Sequence, residues 1–291
     1  MAKKMNRSDV YRAAHGITFA QKVGSAQNLF LAGTQNRLGA AGAFTQTAEA
    51  QRSCLLQTFT VSAQNAGVQC EGVITEITVA GQSCMVSDQS CAIGAFSPTA
   101  YNASARSLGI SVDNNMKVTV QGNLLNAGGN VSLAIALDPI PTAAVKTRAE
   151  QAQAYNFVFG LGTVNIAAGA AGSLKARSNR AVTLGELTLQ NLTAAGGGFV
   201  NNDDIIITSI LVGGLQMLNG STADQQISLD AFIAQASDPM LSFSYPINPQ
   251  TEVEIKFNNV SANPCDIGGA IFCEPWSAEQ AKKAQALYGG C

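Results

Sequence analysis

The chain has 291 residues, 46% of them apolar and only 12% charged, with a formal net charge of −2. That length suits two domains of roughly 100–150 residues better than one small domain, and the near-neutral balance excludes a bulk basic field for gripping nucleic acid. Gly, Ala, Asn, Ser, Thr and Gln take the place of the missing charge, a polar surface suited to burial against copies of the same chain.

The N-terminus, MAKKMNRSDVYRAAHG, carries Lys3, Lys4, Arg7 and Arg12, with Lys22 beyond them. It has a basic start but no apolar stretch, so it does not read as a secretory signal. Ser8 is a predicted N-cap for a helix over SDVYRAAHG, and Val10, Tyr11, Ala14 and Ile17 would share one face of it. A basic amphipathic helix suits a lipid surface or another anionic partner; a solvated or lattice-contacting arm is the plainer alternative. Residues 1–27 are read as this arm.

From residue 28 the chain repeats itself. NLFLAGTQNRLGAAGAF (28–44) faces NFVFGLGTVNIAAGAAGSL (156–174), and LLQTFTVSAQ (55–64) faces LGELTLQNLT (184–193) at an offset of 129. ITEITVAG (74–81) returns as ITSILVGG (207–214) at an offset of 133. VDNNMKVTVQGNLL (112–125) faces INPQTEVEIKFNNV (247–260) at 135, and VSLAIALDP (131–139) faces IGGAIFCEP (267–275) at 136. The order is collinear and the offset grows slowly, as loop insertions would make it. A period of ~130 residues is far too long for a solenoid repeat, so each copy is a whole domain.

The repeated segments read as strands. In TEVEIKF, Val253, Ile255 and Phe257 alternate with Glu252, Glu254 and Lys256; in MKVTVQG, Met116, Val118 and Val120 alternate with Lys117, Thr119 and Gln121. A period of two marks a half-buried strand. GVITEITVAG and DIIITSILVGG are longer and more apolar, as central strands are. Clusters of Asn, Gly, Pro and Ser punctuate the rest. Pro139 and Pro275 close the last strand of each copy, because proline cannot donate to a ladder. Seven or eight strands per copy predict an all-β fold: two tandem eight-stranded jelly rolls, over 28–139 and 156–275. A short α-helix rich in Ala, Glu, Gln and Lys is predicted after each, a linker over 140–155 and a C-terminal helix over 276–291. Ser277 and Gln280 form a capping box at the start of the second.

Catalytic chemistry finds little support. His15 is the single histidine and lies outside both barrels, so neither a metal-binding bicupin nor a Ser-His-Asp triad is expected, and no G-x-S-x-G surrounds a serine. Asp203 and Asp204 are adjacent, while Glu252 and Glu254 share a strand face with Lys256, which reads as a solvated outer face. Ala167–Gly172 is rich in small residues but lacks the Lys-Ser/Thr of a phosphate loop. Trp276 reads as a packing anchor. The seven cysteines, Cys54, Cys70, Cys84, Cys91, Cys265, Cys273 and Cys291, include no CxxC pair. They are expected to be mostly buried free thiols, with Cys84/Cys91 and Cys265/Cys273 the nearest candidates for a bridge. Six Asn-x-Ser/Thr sequons, at Asn6, Asn102, Asn130, Asn191, Asn219 and Asn259, read as by-products of composition. No run of ~18 apolar residues predicts a membrane-spanning helix.

Two collinear jelly rolls, a basic N-terminal arm and no catalytic apparatus resemble the double jelly-roll major capsid proteins of tailless icosahedral viruses, particularly those of membrane-containing bacteriophages. The resemblance covers residues 26–275 through architecture and internal repetition, with no signature motif. It implies a homotrimer of pseudo-hexagonal outline whose copies tile an icosahedral virion shell, assembled in the host cytoplasm. It implies penton, spike and minor capsid proteins as further partners, and no cofactor, metal, enzymatic activity or sequence-specific nucleic-acid binding. Lys3, Lys4, Arg7, Arg12 and Lys22 would then face the shell interior, with internal membrane lipid a further partner. Short loops imply low outer towers, with host binding left to a separate spike.

Two other classes stand beside this reading. One is a tandem β-sandwich carbohydrate-binding or adhesin module, as in a phage fibre; aromatics at 6% and the absence of a recognisable signal weigh against it. The other is a carboxylate-dependent hydrolase on paired jelly rolls.

Overall fold

A computed structural model describes residues 29–32, 36–65, 68–96, 110–125, 128–140, 142–145, 157–192, 200–218, 227–232 and 242–275. The predicted arm, with Lys3, Lys4, Arg7, Arg12, Lys22 and His15, lies outside these residues, as do the C-terminal helix, Trp276 and Cys291. The described start of the linker, Thr142–Ala144, is a 3-10 turn rather than an α-helix; the remainder of 140–155 lies largely outside. Pro141 biases Ile140 away from helical backbone, so no helix can run back to the strand. Among the described residues there is no α-helix, and the other 3-10 turns are Ile93–Phe96, Asn202–Asp204 and Leu229–Phe232.

The architecture is two β-sandwiches of antiparallel sheets. In the first, the strands are β1 (Leu29–Ala32), β2 (Asn36–Arg37), β3 (Gly42–Glu49), β4 (Cys54–Asn65), β5 (Val68–Gln69) and β6 (Gly72–Val79). They continue as β7 (Gln82–Ser83), β8 (Cys91–Ala92), β9 (Ser111–Val112), β10 (Lys117–Leu124) and β11 (Asn130–Pro139). One sheet has the order β1-β11-β4-β5, with β2 on β11 and β9 on β4; the other runs β3-β10-β6-β7, with β8 on β6. The second sandwich comprises β12 (Phe157–Ile166), β13 (Ala171–Arg177), β14 (Val182–Asn191), β15 (Ile205–Val212) and β16 (Leu215–Gln216). Its last strands are β17 (Ile227–Ser228), β18 (Ser242–Ile247), β19 (Glu252–Asn259) and β20 (Cys265–Pro275). Its sheets run β12-β20-β14-β18 and β13-β19-β15-β16, with β17 on β15.

The alternation in the sequence is what builds these sheets. Val118 and Val120 of β10, and Val253, Ile255 and Phe257 of β19, point into the cores, and the intervening residues face outward. Burying each such side chain contributes about 1.5–3 kcal/mol. The repeat extends to fine detail. Thr75 in β6 and Thr208 in β15 are extra residues at matching bulges, where pairing skips from Glu76 to Ile74 and from Ser209 to Ile207. Gln57 in β4 and Gly185 in β14 are likewise extra. Those pairings set Leu56 against Leu137 and Leu184 against Cys273. Leu56 is therefore equivalent to Leu184, an offset of 128 where the apolar pattern suggested 129. A bulge changes inward and outward parity, so similar neighbouring leucines hid the one-residue slip.

One cross-strand pair has exchanged its partners. Phe44 lies opposite Gly122 in the first sandwich, and Gly172 lies opposite Phe257 in the second. A Cβ on Gly122 would collide with the Phe44 ring, so the glycine makes room for the aromatic ring. Each core keeps one ring and one gap at that site. The end of β19 carries a different solution. Asn259 is 1% exposed where the first copy has Leu124. Its Nδ2 donates to the carbonyls of Ile166, Ala167 and Asn263, and its Oδ1 accepts from the Ser261 amide and hydroxyl. Fully bonded and buried, this sequon asparagine is in no position to carry a glycan.

The shared motif around residues 74–81 and 207–214 ends in a tight hairpin. Ala80 and Gly81 have φ of 52° and 77°, and Gly213 and Gly214 have 57° and 82°. Two successive positive φ values are the demand of a type I′ turn. Alanine in the left-handed region is strained by its Cβ, at about 1–2 kcal/mol, and part of that is offset by its smaller unfolded-state entropy. Replacing Ala80 with glycine, as the second copy has at Gly213, should therefore raise stability by about 0.5–1 kcal/mol. A higher urea midpoint at unchanged m-value is the expected reading.

Candidate functional site: the junction between the two sandwiches

The segment CMVSDQSCAIGAF, 84–96, leaves the first sandwich, pairs with the β12 edge of the second sandwich's β12-β20-β14 sheet at 84–86, and crosses the outer face of that sheet at 89–96. Backbone bonds fix it there. The Val86 amide donates to the Val158 carbonyl at 2.9 Å, and the Val158 amide donates to Cys84 at 2.9 Å. Asn179 donates to the Val86 carbonyl at 2.9 Å, Asp88 to Arg177 at 3.1 Å, and Gly162 to Ser90 at 2.7 Å. The Asp88 carboxylate also accepts from the Arg177 amide at 2.8 Å. Both sandwiches thus spend main-chain groups on each other, and the apolar cluster is continuous through them.

The receiving sheet is shaped for this contact. Its outward positions include Gly160, Gly268 and Ala270, and every residue from Phe157 to Gly162 is buried, on both faces of the strand. A Cβ on Gly160 would collide with the carbonyl oxygens of Gln89 and Ser90. Gly94 sits against the side-chain amide of Gln190, where a Cβ would again collide. Phe96 packs edge-on against Phe272 with ring centroids 5.6 Å apart, an arrangement worth about 0.5–1.5 kcal/mol beyond its buried area. Beside the junction, the Arg180 guanidinium lies 4.0 Å from the centre of the Phe157 ring.

The electrostatics of the junction centre on Glu71. Burial, and then the charge of Asp266 from the second sandwich, push its carboxyl up to about 7. The thiols are inert by the same physics. The six described cysteines are free, including both candidate bridge pairs, and all are buried. Burial drives Cys54 and Cys84 up to about 12 and Cys265 to about 11, with Cys91 and Cys273 raised further. Nucleophilic thiolate chemistry needs the opposite shift.

The carboxylates singled out from sequence are scattered. Glu252 pairs with Arg177 at 3.0 Å, and Glu254 with Lys175 at 3.1 Å, on the outer face of β13 and β19. Lys256 stands 3.9 Å from Glu254. Asp203 and Asp204 sit in the exposed turn before β15. Asp203 shares a hydrogen bond with Asp230, and that bond with the neighbouring charge raises its carboxyl. Carboxyls bonded directly to one another leave no space between them for a glycosidic bond. Among the described residues, no group of three or more His, Cys, Asp or Glu side chains is placed to hold a metal. Sequence reasoning missed the junction itself. Its signal was present in the unbroken small and apolar run GAIFC, which has no polar face to turn outward.

No protein-family model matches the chain, and no curated protein does. The ectodomain of ANX1 from Arabidopsis thaliana aligns over 84% of this chain and 89% of its own at 8% identity, with a TM-score of 0.23. A structure of infectious bursal disease virus, Gx strain, aligns over 91% and 87% at 10% identity, with a TM-score of 0.12. Likenesses at this level carry no argument about family or function.

Two consequences of the junction are measurable. Gly160→Ala should destabilise by about 1–3 kcal/mol, the range for forcing an added methyl into a closed contact, whereas Gly39→Ala, with open space around it, should stay within about 0.5 kcal/mol of wild type. The second concerns pH. The folded Glu71 holds its proton up to about 7 against an ordinary value of 4.5. Its stabilising effect is therefore complete below pH 4.5 and is lost as pH rises through 7. After allowance for its partial exposure, the loss should be about 1 kcal/mol. Urea midpoints at pH 5 and pH 8 should differ less in Glu71→Gln than in wild type.

Proposed function

We propose that this chain is a structural shell protein: a double jelly-roll major capsid protein that assembles as trimers and tiles a virion. The strand order carries the proposal. With the two-residue strands β2, β5, β7 and β16 set aside, the first sandwich pairs β1-β11-β4-β9 in one sheet and β3-β10-β6-β8 in the other. The second pairs β12-β20-β14-β18 and β13-β19-β15-β17. Lettered along each copy, both give B-I-D-G facing C-H-E-F, the order of an eight-stranded jelly roll. Two such barrels side by side in one chain give a trimer six similar lobes, and six lobes fit a near-hexagonal lattice with one gene product.

The chemistry agrees with a building block rather than a catalyst. Glu252 and Glu254 are paired with Arg177 and Lys175, and Asp203 with Asp230, on outer faces, while the described thiols are raised and buried. A weakly charged surface lets identical copies approach without long-range repulsion. A standard interface buries about 1,600 Å², and contacts of modest strength suffice when many act together. In this reading the basic arm with Lys3, Lys4, Arg7, Arg12 and Lys22 faces the interior and any lipid beneath the shell. Penton, spike and minor capsid proteins complete the particle, with no cofactor.

Light scattering of the purified protein, with negative-stain images of the same sample, tests the proposal. The expected result is a trimer of about 90 kDa, three times the 30.1 kDa chain, with a hexagonal outline, or a closed shell. A strict monomer at high concentration would overturn it and turn attention to glycan binding.

A further inference from the structure

Up to Cys84 the two copies run in step. The Cys84 amide donates to the Ile77 carbonyl as the Met217 amide donates to the Ile210 carbonyl, each at 2.8 Å. The first copy then leaves its own sheet. Its main chain returns to β6 at Cys91 and Ala92, which pair with Ile74 and Val73, and runs on through the 3-10 turn into the corner CAIGAF, 91–96. The counterpart of that corner is ISLDAF, 227–232, where Ile227 pairs with Ile207. The stretch 84–91 is thus a strap tied at both ends to one strand of the first sandwich.

Between its ties the strap is bonded to the other sandwich. The main-chain bonds of Val86, Asp88 and Ser90 end at separate places there: the β12 edge at Val158, the end of β13 at Arg177 and the turn after it at Asn179, and the β12 bulge at Gly162. The strap is also part of the first core. Cys91, Ile93 and Phe96 are at most 1% exposed, and they belong to the same apolar cluster as Phe157, Leu189 and Phe272 of the second sandwich. Two domains of one chain move relative to each other by default, unless their interface is large and apolar. Here the interface is apolar and also consumes main-chain bonds.

We infer that the strap locks the two sandwiches into one cooperative unit, in which neither opens while the other stays folded. Opening the second sandwich alone would strip the strap of its partners at Val158, Arg177, Asn179 and Gly162, and the strap is continuous with the corner that closes the first core. Opening the first alone would bare the runs Phe157–Gly162 and 267–273, which are buried on both faces and carry no polar side chain to meet water. Neither half-open state has a surface suited to solvent. Two consequences follow for the chain's life. Made from its N-terminus, it cannot finish its first sandwich until residues 158–179 have been made. It then enters any assembly with both sandwiches folded or with neither.

The inference does not rest on the shell-protein reading, which stands under either result. Hydrogen exchange of the full chain in low urea, read by mass spectrometry, tests it. Val118→Ala in β10 and Ile210→Val in β15 each weaken one core away from the strap; both side chains are at most 2% exposed. Strand β11 reports on the first sandwich and β19 on the second. Each substitution should speed the slowest amides of both strands by one common factor, about 2–10-fold for Ile210→Val. The amides of Val86 and Val158, which join the strap to β12, should exchange as slowly as those strands. A substitution that speeds only its own sandwich overturns the inference. So does Val118→Ala speeding both strands while Ile210→Val speeds β19 alone, the mark of a first sandwich that opens by itself, or the mirror result. Fast exchange at Val86 over protected strands overturns it too, as does coupling that fades on dilution, since that would belong to contacts between chains. Ile210→Val removes a single methyl group and keeps the test readable if Val118→Ala does not fold.

Discussion

The β12-β20-β14 sheet has a core on one side and the 84–96 segment on the other, and this double burial constrains the chain more tightly than any single core. A strand buried on both faces has no side chain free to meet water. Its outward positions must also be small enough for another backbone to approach within hydrogen-bonding distance. Gly160, Gly162, Gly268 and Ala270 meet that demand. The approaching segment leaves its own sheet to do so, and its amides and carbonyls must be satisfied by the strand it lands on, because a buried unpaired main-chain group costs about 1–3 kcal/mol. The bonds from Val86, Val158, Asn179, Asp88 and Gly162 answer that cost. The two sandwiches are therefore joined by the same means that join strands within a sheet.

That constraint also explains what was legible in the sequence. Strands with one wet face, such as β10 and β19, announce themselves by alternation, and turns by Asn, Gly and Pro. The repeat was visible because it preserved both. Strands β12 and β20 carry no alternation where the junction covers them, so their apolar runs read as core without saying against what. The two-residue strands β8 and β17 are too short to have a period at all. Their position follows from long-range pairing with β6 and β15, a tertiary fact with no local signature. The off-by-one match of β4 to β14 has the same origin, since the bulges at Gln57 and Gly185 are set by the partner strand. The charged arm was the most conspicuous local signal, and it lies outside the described residues.

The two copies preserve backbone and exchange chemistry. Bulges at Thr75 and Thr208, positive φ at Ala80 and Gly213, and positive φ at Asn115 and Gln250 all recur in place. Meanwhile Phe44 against Gly122 becomes Gly172 against Phe257, and a buried leucine at 124 becomes a fully bonded asparagine at 259. Core volume and satisfied polar groups are what packing requires, and either arrangement supplies them. What recurs in both copies is what no side chain can replace, namely the sign of a dihedral angle and the parity of a strand.

Divergence of this kind has a use beyond tolerance. Two identical sandwiches carrying a heterologous junction could pair in any order, with no reason for a chain to stop at its own partner. Here the inserting segment CAIGAF (91–96) differs from its counterpart ISLDAF (227–232), and the covered face with Gly268 and Gln190 differs from its counterpart with Ser132 and Ser62. A corner bearing Asp230 cannot take the place of Gly94 on the closed β12-β20-β14 face, where even a Cβ would collide. The first corner is committed to the second sandwich by sterics, and the second corner is excluded from it by the same atoms. Order along the chain is thus enforced by what each corner cannot fit, which is how a repeated surface becomes directional.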